Sequence, residues 1–330
     1  MSKINDAAKT MKNIMFAPEF DNDRRRTAHV LKAFLLGVFK FIVLLGISYV
    51  ILGPIIGIVA HSFFSDSDAY SALVYLIPQS PTLERYQISY DVLKYFTTLK
   101  NTFIYVLILM AIQVFMCSMV GYGFARYNFP FKKILFACVV IMIVIPSNTI
   151  MLPLYMTFRI FDPFGIVTLI NGEPINLMST PAPMYIMTFF ATGLRSGLYI
   201  YIFNQFFRGL PKEIEEAAFV DGAGSWYTYF FIMLVNALPA VVTVAIFSLV
   251  WQYNDTFYAK LFNLRDTDVI SKRISSLSAN VGNMYSINDP KILELFVYAG
   301  IVLVILPVLI IYCLLQKQFI EGVERSGIVG

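Results

Sequence analysis

Charged residues, histidine and cysteine are scarce in this sequence, and each shortage excludes a class of protein. Charged side chains make up 14% of the 330 residues and hydrophobic ones 58%, whereas soluble domains have about a quarter and a half. The two histidines, His29 and His61, are far apart, so they form no convincing metal site. The three cysteines all lie inside apolar runs, where a small buried thiol is the ordinary interpretation. We therefore expect a membrane protein with no metal centre, and we infer no disulfide.

Motifs of nucleotide binding and catalysis are also missing. The sequence contains no Gly-x-x-x-x-Gly-Lys-Ser/Thr run, so the chain cannot hold ATP phosphates as a P-loop does. It has no nucleophile elbow, no His-Glu-x-x-His helix and no carboxylate pair that indicates catalysis. The net charge of +4 comes without basic patches interleaved with aromatic residues, which argues against nucleic-acid binding and fits loops near anionic lipid. We predict a chain that is not an enzyme and holds no cofactor of its own.

Six apolar segments come close to or exceed the roughly 20 residues that a bilayer core requires. They cover residues 33–60, 102–124, 134–158, 183–207, 233–253 and 292–316. Six crossings place both termini on one side of the membrane. Lysine and arginine number fourteen on that side and nine on the other, where the loops are longer. The positive-inside rule therefore predicts that both termini are cytoplasmic.

These segments define the predicted organisation of an all-α polytopic membrane protein. A cytoplasmic arm (1–32) precedes one transmembrane domain (33–316), and a cytoplasmic tail (317–330) follows it. The predicted outer loops are 61–100, 159–182 and 255–291, and the principal cytoplasmic loop is 209–230.

The principal cytoplasmic loop has the pattern helix, glycine turn, helix. Pro211 suits a first helical turn, and acidic residues follow it at the positive end of the helix dipole. Gly222 then allows a turn before a second helical run from Ser225. Ala217 and Ala218 expose little side chain, so a partner protein can approach the backbone closely, and Glu216 offers a carboxylate to a partner's Arg or Lys. The alternative is a solvated loop helix with no partner.

This loop resembles a known family motif. Glu216-Ala217-Ala218 followed by Gly222 resembles the EAA loop of the permease subunits of ABC importers, and the wider run 205–223 is similar to the carbohydrate-uptake, MalG-like branch of the binding-protein-dependent transport family. Val235 stands where that family has a proline. Similarity extends to Gly121-Tyr-Gly-Phe-Ala-Arg126, Ile145-Pro146 and Trp251-Gln-Tyr-Asn-Asp255.

The resemblance implies a type I ABC importer permease fold of six transmembrane helices whose coupling helix docks on a separate ATPase. The residues it assigns to docking are Glu215, Glu216, Ala217, Ala218, Asp221 and Gly222. It also implies several partners: a second permease subunit, expected to form a heterodimer, an ABC ATPase dimer that holds ATP and Mg²⁺, and an extracellular or periplasmic sugar-binding protein. Lipid surrounds the complex, and the expected location is the bacterial plasma (inner) membrane.

A solute path is predicted from polar and aromatic residues within or at the ends of the apolar segments. Arg195 lies near the middle of the segment 183–207, where a charge normally faces a partner or a watery cavity. Aromatic rings can stack on sugars, and amide or carboxylate groups can bind hydroxyls. The candidate path residues are Arg195, Tyr155, Tyr199, Trp251, Asn254 and Asp255. Alternatively, Arg195 bonds backbone carbonyls exposed by its flanking glycines, and the rings are interface anchors.

Two other functions are compatible with parts of the sequence. An importer for amino acids or another polar solute would share the cytoplasmic loop. A non-transporting membrane scaffold could use that loop as a docking site. A proton- or sodium-driven carrier is disfavoured, because internal repeats and paired intramembrane carboxylates are not evident.

Overall fold

A computed structural model describes the backbone of residues 18–327, and side chains for residues 32, 34–314 and 316. In that part of the chain the regular structure is helical, and the only extended pairing is one bridge between Phe161 and Ile175. In chain order the α-helices are α1 (Pro18–His61), α2 (Asp66–Tyr70), α3 (Glu84–Leu93), α4 (Tyr95–Arg126), α5 (Lys132–Val144), α6 (Met151–Arg159), α7 (Ile166–Asn171), α8 (Ala182–Phe189), α9 (Ser196–Gly209), α10 (Glu213–Val220), α11 (Ser225–Tyr227), α12 (Leu234–Asn236), α13 (Leu238–Asn254), α14 (Phe257–Leu261), α15 (Ile270–Ser275), α16 (Leu277–Tyr285) and α17 (Pro290–Gly327). Short 3₁₀ turns cover Ser147–Ile150 and Pro163–Gly165, and a π-helical stretch covers Thr228–Met233.

The chain divides into two compact units, Met1–Ala60 and His61–Gly330. The first unit contains nearly all of α1, whose segment Phe34–His61 is long and apolar enough to cross a membrane. Most of its described side chains are exposed, as expected for a helix surrounded by lipid. The first half of the predicted arm, residues 1–17, lies outside the described residues, as do residues 328–330 of the predicted tail.

In the second unit, α4 passes through two hydrophobic clusters. One surrounds Leu109 and Phe296 with residues of α3, α8 and α13–α17, and the other surrounds Tyr122 and Phe203 with residues of α9, the π-helical stretch and α13. Gly121 permits the close approach of α4 to α9, because a Cβ atom there would lie 2.6 Å from the Phe203 Cβ. The helix α4 therefore connects the predicted outer part of this unit with the predicted cytoplasmic loop.

The helices account for three to five membrane crossings among the described residues. Besides Phe34–His61, Tyr95–Arg126 and Pro290–Leu314 are each long and apolar enough to cross. Two bent pairs would raise the number to five: α5 with Ser147–Arg159, bent by 105°, and Ser225–Asn236 with α13, bent by 77°. The predicted third and fifth segments are therefore not straight helices.

The predicted fourth segment, 183–207, is divided into α8 and α9. The turn between them includes Ala191 and Arg195, both with positive φ angles of 55° and 60°. Gly193 fits there because a Cβ atom would lie 2.6 Å from the Thr188 Oγ1. Neither helix alone is long enough to cross a bilayer, so the number of six crossings stays a prediction.

Candidate functional site

The helix α10 forms where the sequence predicts a helix followed by a glycine turn. Its first turn carries Glu213, Glu215 and Glu216, which favours helix formation at the positive end of the dipole. Gly222 ends it with a φ angle of 84°. The N–H of Ala223 donates to the Ala218 carbonyl at 2.9 Å, and the N–H of Gly222 donates to the Phe219 carbonyl at 3.1 Å. These two bonds form a Schellman motif, which satisfies carbonyls at the end of the helix.

One side of α10 is held against the end of α4 by a buried cluster. Glu215 is only 8% exposed, and its Oε2 atom lies 2.9 Å from the Arg126 Nε. The Nε–H is not directed at that oxygen, so the contact is an ion pair rather than a linear hydrogen bond. The Tyr122 hydroxyl donates to Glu215 Oε1, and Arg126 Nη2 donates to the Leu210 carbonyl at 2.8 Å. We call Tyr122, Arg126 and Glu215 the α4–α10 clamp.

The other side of α10 is open. Of the six residues predicted to dock an ATPase, Glu216, Ala217, Asp221 and Gly222 are exposed, whereas Glu215 and Ala218 point inward. The exposed side also carries Phe219 and Val220, which are 44% and 87% exposed. Large exposed apolar side chains beside a carboxylate are typical of a docking surface. Docking stays a prediction for all six residues, and Glu215 has a demonstrated partner within the chain.

The segment after the glycine turn also contacts α4. The Tyr229 hydroxyl lies 2.7 Å from the Ser118 Oγ, and the Tyr229 and Tyr122 ring centroids are 5.1 Å apart. Tyr229 belongs to the π-helical stretch that leads to α12 and α13. Both ends of the hairpin formed by α10 and α11 are thus attached to the same face of one long helix.

A cavity of about 460 Å³ lies where two interrupted segments meet. One wall is the bend after α5, including Pro146 and Ser147, and the other is the turn before α9, including Thr192 and Arg195. Pro146 supplies no backbone N–H, and the preceding Ile145 is extended, as residues before proline generally are. Broken helices in a membrane protein are tolerated where they face protein or a water-filled cavity.

Arg195 is the charged residue in the wall of this cavity. It precedes the first residue of α9 and is exposed in this chain. Its guanidinium carbon lies 4.7 Å from the Trp251 ring centroid, and the Trp251 ring is 6.0 Å from that of Tyr199. Among the residues with described side chains, Arg195 makes no ion pair and its guanidinium makes no hydrogen bond. The alternative in which it bonds backbone carbonyls therefore has no support here.

Gln113 of α4 holds the turn that carries Arg195. The Gln113 side chain is completely buried. Gln113 Nε2 donates to the Leu194 carbonyl at 2.6 Å and to the Ser196 Oγ at 3.1 Å. Its Oε1 accepts from Ser248 at 2.8 Å and Gln252 at 3.1 Å. The residues on both sides of Arg195 are thus tied to α4 and, through Gln113, to α13.

Of the six candidate path residues, only Arg195 lines the cavity. Tyr155 accepts a hydrogen bond from Arg159 at 2.9 Å, and the Asn254 amide donates to the Val250 carbonyl. Asp255, which follows α13 outside the predicted crossing, accepts from the Tyr258 N–H at 3.3 Å. Burial raises the pKa of the Asp255 carboxyl to about 6. The structure therefore brings Arg195, Trp251 and Tyr199 together and leaves Tyr155, Asn254 and Asp255 elsewhere.

The contacts of the clamp and the role of Gln113 escaped sequence analysis. Tyr122 and Arg126 are four residues apart, and that spacing places them on one helix face, but their partner Glu215 is distant in sequence. Gln113 gave no periodic signal. Where side chains are described, no group of three or more His, Cys, Asp or Glu residues forms a metal-binding arrangement.

A model of one protein family, the binding-protein-dependent transport system inner membrane component, matches residues 117–324. The chain belongs to this family. The matched region includes α10, all three residues of the clamp and Arg195. Membership confirms the predictions of a membrane-spanning transport component rather than an enzyme, and of transport that depends on a binding protein.

Individual relatives agree with this assignment. A probable ABC transporter permease protein from Pyrococcus horikoshii is 28% identical over 282 residues, covering 84% of this chain and 92% of that protein. The arabinooligosaccharides transport system permease protein AraQ from Halalkalibacterium halodurans is 26% identical over 312 residues, covering 93% of this chain and 100% of that protein. One solved structure is the crystal structure of a bacterial ABC transporter involved in the import of the acidic polysaccharide alginate. A chain of that structure superposes with a TM-score of 0.64 at 21% identity, covering 89% of this chain and 97% of that chain. This similarity confirms the predicted importer permease fold.

Proposed function

We propose that this chain is a permease subunit of an ATP-driven importer that moves a saccharide, delivered by a solute-binding protein, across a bacterial plasma membrane. The observation that carries the proposal is the helix α10, which is fixed to α4 on one side and open on the other. A saccharide is favoured because AraQ, a relative over nearly the whole chain, belongs to a transport system for arabinooligosaccharides.

The energy source belongs to another subunit, since the sequence has no P-loop. An ATPase dimer would contact the exposed residues Glu216, Ala217, Phe219 and Val220 and hold ATP with Mg²⁺. A second permease subunit, forming a heterodimer with this chain, and an extracellular or periplasmic binding protein complete the complex. The distribution of Lys and Arg supports a cytoplasmic location for α10 and both termini.

Motion of the ATPase would reach the transmembrane helices through the α4–α10 clamp. A helix attached only by flexible residues would absorb a displacement, whereas the Arg126–Glu215 pair and the Tyr122 hydroxyl bind α10 to a helix of 32 residues. The contact between Tyr229 and Ser118 gives the following segment a second attachment to α4. The clamp thus transmits a displacement of α10 to both α4 and the segment that leads to α13.

The coupling role is tested by Glu216→Lys in the assembled importer reconstituted in liposomes. We expect the complex to assemble and hydrolyse ATP while uptake falls, because Lys reverses the charge offered to the ATPase. The matched control is Glu213→Lys, which changes another exposed carboxylate of the same helix. Full uptake by Glu216→Lys would refute docking through this residue.

Two alternative functions are separated by simpler measurements. A scaffold would bind no ATPase in stoichiometric amount when the chain is purified, whereas the importer requires one. An importer of amino acids or another polar solute would take up that solute and no saccharide.

A further inference from the structure

Arg195 is a positive charge without a carboxylate partner in the described part of this chain, and it lies among exposed apolar side chains. Val144 and Ile145, which also line the cavity, are 75% and 44% exposed. A guanidinium directed at lipid is expensive, so charges inside a membrane face protein or water. The surface that carries Arg195 therefore faces an aqueous path or another molecule.

The local electrostatics favour a negative ligand. Arg195 stands at the N-terminus of α9, a helix of 14 residues whose positive end adds to the positive charge of the guanidinium. The Trp251 ring contacts Arg195 through a cation–π interaction but accepts no conventional hydrogen bond, so the N–H donors of the guanidinium stay available. Two parallel hydrogen bonds to a carboxylate are the strongest interaction that such a group makes.

The position of Arg195 is also fixed before any ligand arrives. Its φ angle of 60° lies in the left-handed region, which is unfavourable for a residue with a side chain and persists only where surrounding contacts enforce it. Gln113 supplies these contacts through Leu194 and Ser196. A backbone fixed in this way reduces the conformational entropy that Arg195 loses when it binds an anion.

We propose that Arg195 and the adjoining cavity form an anion-selecting site on the solute path that binds the carboxylate of an acidic saccharide. The inference rests on the proposed function as a saccharide importer and adds the charge of the transported saccharide. The cavity volume of about 460 Å³ lies within the range of small-molecule sites, about 300–1,000 Å³. The hydroxyls of Ser147 and Tyr258 in its wall can bind sugar hydroxyls, and Gln113 is a positioning residue.

Uptake into liposomes containing the assembled importer tests this site. The solutes are oligomers of galacturonate, glucuronate and mannuronate, each paired with its carboxyl-reduced, neutral counterpart. We expect wild-type uptake of at least one acidic oligomer to exceed that of its neutral counterpart by roughly tenfold or more, because only the acidic oligomer forms a charged hydrogen-bonded pair with Arg195. Arg195→Gln should lower uptake of that oligomer by about 10- to 100-fold and that of the neutral one by less than about threefold.

Two further variants distinguish the effect of the charge at Arg195 from that of its paired N–H donors and from loss of an arginine elsewhere. Arg195→Lys keeps the charge but loses the paired N–H donors, so it should retain part of the preference. Arg159→Gln is the matched control, because Arg159 lies over the Tyr155 ring at 5.6 Å but does not line the cavity. It should leave the preference unchanged.

Trp251 provides a readout that is independent of uptake. It is one of two tryptophans in the chain, and its emission is isolated by subtracting the spectrum of the assembled complex carrying Trp251→Phe. Acidic oligomers should change this emission in the wild type because they draw the guanidinium away from the ring. Neutral oligomers should not, and Arg195→Gln should abolish the response.

Each outcome has a defined meaning. Uptake of neutral saccharides with no preference for any acidic one overturns the anion site and leaves the proposed function standing. Equal loss of acidic and neutral uptake in Arg195→Gln also overturns it, because Arg195 then pairs with a partner subunit or supports the fold. Uptake of no saccharide at all refutes the proposed function itself.

Discussion

Arg126 and Arg195 both stand at helix ends, yet their surroundings are opposite. Arg126 ends α4, is buried, and has its charge paired with Glu215 of the same chain. Arg195 precedes α9, is exposed, and has no carboxylate partner in the described part of the chain. A paired and buried charge holds two elements together, whereas an unpaired one is available to a ligand. We therefore propose that the first region transmits force and that the second recognises the solute.

The largest expected effect comes from removing one member of the clamp. Glu215→Ala leaves the Arg126 guanidinium buried without its carboxylate, which should lower the free energy of unfolding by about 3–5 kcal/mol. Chemical unfolding of the purified protein in micelles measures this change. Glu213→Ala removes an exposed carboxylate from the same turn and should change it by less than about 1 kcal/mol. Equal effects of the two substitutions would show that the clamp does not hold α10.

The close approach of α4 and α9 is tested by a pair of glycines. Gly121→Ala places a Cβ atom against Phe203 and should lower the free energy of unfolding by about 1–3 kcal/mol. Nothing lies within 4 Å of a Cβ atom at Gly123, so Gly123→Ala should be neutral or stabilise the helix by about 0.5–1 kcal/mol. Thermal unfolding distinguishes the two, and similar midpoints would contradict the packing described.

The turn at Arg195 is tested through Gln113. Gln113→Leu leaves the Leu194 carbonyl and the Ser248 hydroxyl without this partner, so stability should fall by about 1–3 kcal/mol. The orientation of Arg195 should also loosen, raising the KM for solute more than it lowers kcat. Thr243→Val is the control, because Thr243 is a buried polar residue whose hydroxyl donates to the Pro239 carbonyl of its own helix. An unchanged KM in Gln113→Leu would remove Gln113 from the positioning of Arg195.

The smallest effect is a pH dependence at Asp255. Burial raises the pKa of this carboxyl to about 6 in the folded protein, against about 3.9 in the unfolded chain. The folded state therefore binds the proton more tightly, and this group's contribution to stability falls as the pH rises from about 4 to 6. Asp255→Asn should remove that component from the melting midpoint measured across this range. An identical pH profile in both proteins would contradict the raised pKa of Asp255.

Sequence reasoning succeeded where the determinants of structure are local. Pro211, the acidic first turn and Gly222 predict the start and end of α10 because caps and dipoles act within one or two turns. The family motif supports the same helix. The direction of Glu215 could not be predicted, since it depends on an arginine contributed by another helix.

The broken segments were missed for a different physical reason. The apolar content of residues 134–158 and 183–207 predicts crossing segments, but it does not show where backbone hydrogen bonding stops. Pro146 was identifiable as a possible kink, whereas the turn at Arg195 depends on Gln113 from α4 and on the space beside Gly193. Such polar contacts between distant helices become visible only when the helices are packed.

The most direct test of the account is the ratio of saccharide imported to ATP hydrolysed when the clamp is neutralised. Arg126→Gln with Glu215→Gln removes both charges together, so neither is left buried alone. We predict that the complex still assembles and hydrolyses ATP while the ratio falls, because α10 is no longer fixed to α4. A ratio equal to that of the wild type would contradict the central claim that this clamp transmits the motion of the ATPase.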